Sequence, residues 1–509
     1  MPDCREHELK IAIAPDRLDE AIAFEPDSQA LTRGPMQTRR LVSTYFDTSD
    51  HVLFRHGYVL RIRQDGVEPT QCLKGTTHSG SVGTRFEHEV AAPASTPDID
   101  LFGPTVAAEL ESILEGAPLV AIFTSQIERT VRTIEWHGAT IELAADSGEI
   151  VAGSKAERVA EFEIELRAGP LQPLFEIGLL FVDRFAAGLM QQSKSERGFG
   201  LLGHAPVPCP SEPPELDEAM PTGQAIAAVL QACLDGFVGN WPAIIVGHNA
   251  DAVHEARVSL RQLRSALSLF GPSLPAGQAR SLSDGARRIA AVLGEARNLD
   301  VLHDFLREPA GDDPEAAKAR RRLMRRIARR RHAAYAEAAA RLADSNTARF
   351  VLALQLCILN VGEMPNATFP GSIEMIAEEG LAALLGKALK RHKDPARRSP
   401  VSRHRLRIAL KKLRYAADFF SSLYDEDQAG PYVERLGSLQ RDLGELNDQV
   451  MIERLIATLQ LGDVGRFVSM PKLPGREMRR TLGSLSRDWR RFRKARPFWI
   501  ARSRRSRTA

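Results

Sequence analysis

Along the first 200 residues, polar and apolar side chains alternate with period two in short runs, as strands require. From about residue 224 the apolar positions recur at three and four, as helices require. The alternation predicts strands at 6–11, 41–48, 59–63, 71–74, 85–90, 127–136, 139–144 and 161–166, with helices near 104–114 and 171–190. Asp65-Gly66 closes one strand with a hairpin signal. In nearly every strand one face is apolar and the other charged. Glu6, Glu8 and Lys10 oppose His7, Leu9 and Ile11, and Arg61 shares a face with Arg63. Likewise Arg85, Glu87 and Glu89 oppose Phe86 and Val90, and Glu161, Glu163 and Glu165 oppose Phe162, Ile164 and Leu166.

An open sheet would scatter the charges of its wet face, whereas here they cluster as E-x-E, R-x-R and E-x-E-x-E. A sheet closed on itself, charged inside and covered outside by helices, accounts for the clustering. Clustered carboxylates repel unless a cation sits between them, and all-oxygen ligands suit Mg²⁺ or Mn²⁺ better than zinc. The neighbouring Arg and Lys groups call for an anion of high charge density, and phosphate suits their fork-like donors. Polyphosphate complexed with a divalent metal meets both demands.

Charge divides the chain. Residues 1–200 carry 19 Lys+Arg against 31 Asp+Glu, while the remainder carries 49 against 34, so the net charge of +3 hides two halves of opposite sign. The 509 residues predict two to four domains of ordinary globular composition. Pro206, Pro208, Pro210, Pro213, Pro214 and Pro221 mark a linker. The expected domains are therefore 1–202, a linker at 203–222, a helical domain at 223–500 and a basic tail at 501–509. The five scattered cysteines suggest neither a disulfide framework nor a zinc site, and point to a reducing compartment. The opening MPDCREHELK lacks an apolar signal core, and the longest apolar stretch, near 350–361, is too short to span a bilayer. The expectation is a cytoplasmic protein.

The strand region resembles the CYTH family, the triphosphate tunnel metalloenzymes, over about residues 4–200. The motifs EHELK, STYFDT, LRIR, CLKG, TRFEHEV, IELAAD, EFEIEL and QSKSERG occur in that order. The resemblance implies an eight-stranded antiparallel β tunnel, flanked by helices, that binds a triphosphate and hydrolyses or cyclises it with a divalent metal. At matching positions, Glu6, Glu8, Glu87, Glu89, Glu163 and Glu165 become candidates for metal coordination or water activation. Lys10, Arg61, Arg63, Lys74, Arg85, Arg129 and Lys194 become candidates for holding phosphates. Glu142 and Asp146 match the strand before the last motif, although an Asp before Ser-Gly also reads as a turn residue. Asp47, Thr48 and Asp50 read as turn chemistry.

The helical half contains an internal repeat. VHEARVSLRQLR recurs after 150 residues as RHRLRIALKKLR, and Leu293-Gly294-Glu295 recurs at the same offset as Leu443-Gly444-Glu445. His254, Arg257, Arg261 and Arg264 form one helical stripe, and His404, Arg407, Lys411 and Arg414 form its copy, each beside an apolar stripe. This half resembles the CHAD domain, the conserved histidine α-helical domain, over about residues 222–500. That implies an all-α, pseudo-twofold domain of two helical bundles that binds inorganic polyphosphate through its basic face. Arg322, Arg325, Arg326 and Arg329 follow helical spacing and would line the same groove or form a general anion patch. Nucleic acid is less favoured, because aromatic side chains are not interleaved with the basic ones.

The two resemblances together imply an inorganic triphosphatase that uses Mg²⁺ or Mn²⁺. Its helical domain would deliver substrate or dock the enzyme on polyphosphate granules. Adenylyl cyclase or thiamine-triphosphatase activity in the same tunnel, and a non-catalytic polyphosphate-binding adaptor, remain the alternatives.

Overall fold

A computed structural model of the chain describes residues 5–26, 31–66, 68–75, 84–92, 95–307, 314–390, 394–458 and 475–500. The basic tail expected at 501–509 lies outside them. Nine strands form one antiparallel sheet: β1 Arg5–Ala12, β2 Leu31–Asp47, β3 Tyr58–Gln64, β4 Thr70–Gly75, β5 Thr84–Ala91, β6 Val120–Trp136, β7 Ala139–Ala152, β8 Lys155–Ala168 and β9 Gly188–Leu189. Their order is β5-β4-β3-β2-β6-β7-β8-β1-β9. Strand β1 also pairs with β5, with Glu6 facing Arg85 and His7 facing Thr84, and this ladder links the two ends of the eight-strand run.

The structure corrects the sequence reading in three places. Strands β2, β6, β7 and β8 are longer than expected, because their extensions pair with each other while leaving many side chains wet. Asp146-Ser147-Gly148 is not a turn. Strand β7 runs through it, and the hairpin comes at Gly153, whose φ is +59°. The long helix expected at 171–190 stops at Phe185, because Ala186 turns into the left-handed region at φ +49°, and Gly188–Leu189 then adds to β1 as the ninth strand.

The apolar outer face of the sheet is covered as its pattern requires. Helices α1 Leu18–Ala23, α2 Val52–Arg55 and α3 Pro104–Leu114 come first. Leu53, Leu60, Leu73, Phe102 and Leu110 form one buried cluster under α2 and α3. Asp47 does act locally: its carboxylate accepts from the backbone N–H groups of Thr48, Leu53 and Phe54 at 2.7–2.9 Å, fixing α2. Helix α4 Gln172–Phe185 packs on the far side, with Phe181 stacked on Phe162 at 4.8 Å. Each fully buried Leu or Phe contributes roughly 1.5–3 kcal/mol. Helix α5 Lys194–Leu201 starts at a capping box, in which Ser193 and Glu196 satisfy each other's backbone N–H.

The helical half comprises α6 Thr222–Val238, α7 Trp241–Ile245, α8 Ala250–Phe270, α9 Gln278–Arg307, α10 Pro314–Leu342, α11 Ser345–Glu363, α12 Ile373–Lys390, α13 Pro400–Phe420, α14 Glu426–Thr458 and α15 Gly475–Lys494. The repeat survives in three dimensions: α8 and α13 start and end 150 residues apart (250 to 400, 270 to 420), and each runs into a 3₁₀ turn. Residues 204–217 carry no helix or strand. By packing, the chain divides into two compact units. One is Met1–Pro210 with Leu234–Ala256 and Ala339–Cys357, and the other is Ser211–Cys233 with Arg257–Ala338 and Ile358–Ala509. The first unit thus takes in two helical stretches. Within it Arg349 pairs with Asp183 of α4, and Gly178 of α4 leaves room for Leu9 on one side and Leu352 on the other. Among the described residues, Thr222–Ile245 is long and apolar enough to cross a membrane, with 61% of its most apolar window buried inside the protein, while the stretch near 350–361 passes that test only as part of a helix pair, Arg320–Leu342 and Ser345–Glu363, bent by 51°.

Candidate active site

Side chains from all eight long strands and the start of α5 surround a cavity of about 410 Å³. Strand β1 contributes Glu6, Glu8 and Lys10; β3 gives Arg61 and Arg63; β4 gives Lys74; β5 gives Glu87 and Glu89. From β6, β7 and β8 come Arg129, Asp146, Glu163 and Glu165, and α5 adds Lys194. Tyr45, Val59 and Ile127 line it too, and belong to a buried apolar cluster with Phe123 and Phe199.

The charges sort into three groups. In the first, Asp146, Glu161 and Glu163 are all buried. Arg129 holds Asp146 through two hydrogen bonds, at 2.7 and 2.6 Å, and also reaches Glu163. Lys10 donates to Glu163 at 2.6 Å, and Lys194 lies 2.7 Å from Asp146 and contacts Glu161. Arg197 adds a bond to Glu161 at 3.3 Å. Burial alone would raise the Glu163 pKa, yet Lys10, Lys194 and Arg129 hold it well below the usual carboxylate range. Three carboxylates here meet four cations.

In the second group, Lys74 bridges Glu6 and Glu87 at 3.0 and 2.9 Å, while Arg61 and Arg63 reach Glu87 at 3.2 Å and Glu89 at 2.5 Å. The Cys72 thiol donates to Glu87 at 2.9 Å. The Arg61 Nε is buried and makes no hydrogen bond, so this wall keeps an unused donor at the cavity.

The third group is a row. Glu8 stands directly across from Glu165, and Glu165 directly across from Glu142, on three adjacent strands. Like charges placed opposite each other destabilise a sheet. Glu165 registers this: burial, then Glu6, Glu142 and Glu8, push its pKa up to about 8 against the pull of Arg167. Lys10 touches Glu8 at 3.2 Å but is shared with Glu163.

By simple proximity of ligand atoms, two other sets stand out among the described residues: Cys72, Glu87 and Glu89, and Asp146, Glu161 and Glu163. Both are already neutralised by Arg and Lys. The row of Glu8, Glu142 and Glu165, with Glu6 beside it, is not one of these sets among the described residues, but its carboxylates outnumber the cations near it.

The structure thus brings Glu6, Glu8, Glu87, Glu89, Glu163, Glu165 and Asp146 to the cavity, with Glu142 joined to it through Arg167. Lys10, Arg61, Arg63, Lys74, Arg129 and Lys194 are there as well. Arg85 lies on β5, and its side chain is outside the described residues. Sequence reasoning passed over Arg167, Glu161 and Arg197. Glu161 was visible on the charged face of its strand, and Arg167 continues the same alternation after Glu163 and Glu165.

In the helical half, the two copies of the basic stripe approach each other. Arg261 donates to the Tyr415 hydroxyl at 3.3 Å, and the Phe270 and Phe420 rings lie 6.1 Å apart. Arg257 donates to the Ala290 carbonyl at 2.6 Å, and a Cβ on Gly294 would sit 2.3 Å from its guanidinium, which gives the first copy of the Leu-Gly-Glu motif its reason. Burial, Arg261 and Arg297 together lower the Arg257 pKa to about 10. Arg407 keeps a buried Nε without a hydrogen bond. His254 is half-buried, whereas Arg264 and His404 are exposed. Lys411 is half-buried, and Arg414 has Asp418 3.7 Å away. Arg322, Arg325, Arg326 and Arg329 are all exposed on α10, which Asp300 of α9 anchors through Arg331 and Tyr335 at 2.5 and 2.9 Å.

The sequence matches the CYTH domain over residues 5–198 and the CHAD domain over residues 228–457. It is 32% identical over 206 residues to an inorganic triphosphatase of Haemophilus influenzae, covering 39% of this chain and 55% of that protein. An uncharacterized protein of Mycobacterium tuberculosis is 26% identical over 311 residues, 56% of each chain. The chain thus spans about half the length of these curated relatives. Among solved structures, the CHAD domain of Ricinus communis aligns at 27% identity with a TM-score of 0.44, over 59% of this chain and 96% of that one. The chain carries a CYTH domain at residues 5–198 followed by a CHAD domain at residues 228–457.

Proposed function

We propose that the N-terminal domain hydrolyses inorganic triphosphate to pyrophosphate and phosphate with Mg²⁺ or Mn²⁺, and that the helical domain binds inorganic polyphosphate. The observation that carries the first half is the unequal sorting of charge in one cavity: a neutralised wall of Arg and Lys faces a row of carboxylates short of cations. A pure anion binder gains nothing from that row.

Arg61, Arg63, Lys74 and Arg129 would take phosphoryl oxygens, each paired with a carboxylate that lines the same cavity and fixes its direction. Lys10 and Lys194, tied to Glu163, would meet charge developing on the leaving pyrophosphate. Glu8 and Glu165, with Glu6 and Glu142 alongside, would hold the divalent ion. When bound, that ion neutralises phosphate charge and lowers the pKa of an attacking water. The free Cys72, Cys209, Cys233 and Cys357 suit a reducing, cytoplasmic setting.

For the helical domain, support comes from the crowding of Arg257, Arg261 and Arg297 and from the orphaned Arg407 Nε, all of which a condensed phosphate chain would relieve.

The test is phosphate release from triphosphate, long-chain polyphosphate, ATP and thiamine triphosphate with either metal, comparing wild type with Glu6→Gln. Fast turnover of triphosphate, lost in the variant, is expected. Preference for ATP or thiamine triphosphate would reassign the substrate, and binding without any turnover would leave an adaptor.

A further inference from the structure

Arg167 occupies a special place in β8. Thr140 pairs with Ala168 and Ile141 with Leu166, so Arg167 is the extra residue of a β-bulge, without a ladder partner. Bulges bend a strand, re-aim a side chain and recur beside functional sites. Here the guanidinium reaches the Oε1 atoms of Glu142 and Glu165 at 2.6 Å each, lines the cavity and remains 48% exposed. The other cations near the row are shared. Lys10 also holds Glu163, and Lys74 bridges Glu6 to Glu87. Arg167 is therefore the counter-charge committed to the row, and it sits on two of the oxygens that a divalent ion would use.

We propose that Arg167 is a built-in competitor for the divalent metal: it pairs with Glu142 and Glu165 and must release them for the ion to bind. Half exposed and without a ladder partner, its side chain can swing outward while the strand pairing stays in place. The strength of this pairing then sets how tightly the tunnel takes its metal. The inference rests on the metal reading of the carboxylate row given above.

The experiment measures Mn²⁺ binding to the full chain, by the paramagnetic resonance signal of free Mn²⁺ and by the Mn²⁺-induced rise in melting temperature. Wild type, Arg167→Gln and Arg167→Lys are compared. Removing one half-exposed competitor should tighten Mn²⁺ binding about tenfold in Arg167→Gln. That variant should also melt lower than wild type in chelator and gain more on adding Mn²⁺. Arg167→Lys, which keeps the charge but loses the fork, should fall between and guards against a folding defect in the first variant. Unchanged or weaker Mn²⁺ binding in Arg167→Gln, beside normal binding in wild type, overturns the proposal. So does unchanged Mn²⁺ binding with a raised KM for triphosphate, which would make Arg167 a phosphate ligand. A wild-type chain that binds no Mn²⁺ defeats the metal reading itself, and this inference with it.

Discussion

Glu8 and Glu165 face each other across the β1 and β8 ladder, with Glu142 next in the same row. Three carboxyl groups at one level of a sheet repel unless one keeps a proton or a cation joins them. Glu8→Gln and Glu165→Gln should each lower kcat for triphosphate at least about 100-fold while moving KM much less, because the phosphate-holding wall is intact. Initial rates at saturating Mn²⁺ decide the matter. A variant that retains activity within a few-fold removes the row from the chemistry.

The same row predicts a pH dependence of stability. Burial and the neighbouring Glu6, Glu142 and Glu8 push the Glu165 pKa up to about 8, from an ordinary value of 4.5. Between these values the folded chain keeps a proton that the unfolded chain has lost. Stability should therefore fall as pH rises through that window, with the loss complete above about pH 8. Melting temperatures in chelator from pH 5 to 9 should show this fall in wild type and a flatter profile in Glu165→Gln. Mn²⁺ binding, which needs the proton gone, should strengthen over the same range.

Asp146 plays a different part. It is fully buried, and its partners Arg129 and Lys194 keep side chains only 19% and 12% exposed. Asp146→Ala leaves two buried cations short of a partner and should cost about 3 kcal/mol, read from urea unfolding. A metal-ligand role for Asp146 would instead leave the metal-free protein near wild-type stability and abolish Mn²⁺ binding.

Much of this site was legible in the sequence, since period-two alternation and E-x-E spacing place the charged faces without knowledge of the fold. What could not be read is which carboxylates are already satisfied. That depends on partners brought together by strand register, such as Lys10 with Glu163 and Arg129 with Asp146. Asp146-Ser147-Gly148 looked like a turn, because the Gly that suits a turn also suits a close crossing: a Cβ at Gly148 would lie 2.0 Å from the Gln126 carbonyl. The first half of β2 escaped notice because residues 35–40 are exposed on both faces and carry no alternation.

Gly198 ties packing to chemistry. A Cβ there would lie 2.2 Å from the Phe123 ring, which is buried and stacked on Tyr45 at 4.3 Å and so has nowhere to go. Gly198→Ala should push α5 outward, carrying Lys194 with it. The expected result is a loss of about 1–3 kcal/mol and a raised KM for triphosphate, with Mn²⁺ affinity little changed because the row lies on other strands. Wild-type KM in a correctly folded Gly198→Ala protein would separate the packing of α5 from phosphate binding.

In the helical domain the sharpest test is Arg407. Its Nε is buried without a hydrogen bond, an arrangement that costs stability unless a ligand supplies the acceptor. Arg407→Ala should therefore leave the ligand-free chain about as stable as wild type, yet weaken polyphosphate binding about tenfold. Arg261→Ala should weaken it as well, and both losses should shrink at high salt, where ion pairing is screened. Glu8→Gln, which alters only the tunnel, should bind polyphosphate through this domain as wild type does. Isothermal titration with long-chain polyphosphate at two salt concentrations distinguishes the outcomes. If Arg407→Ala binds normally while destabilising the chain, its guanidinium is a structural strut and the anion site lies elsewhere on the basic surface.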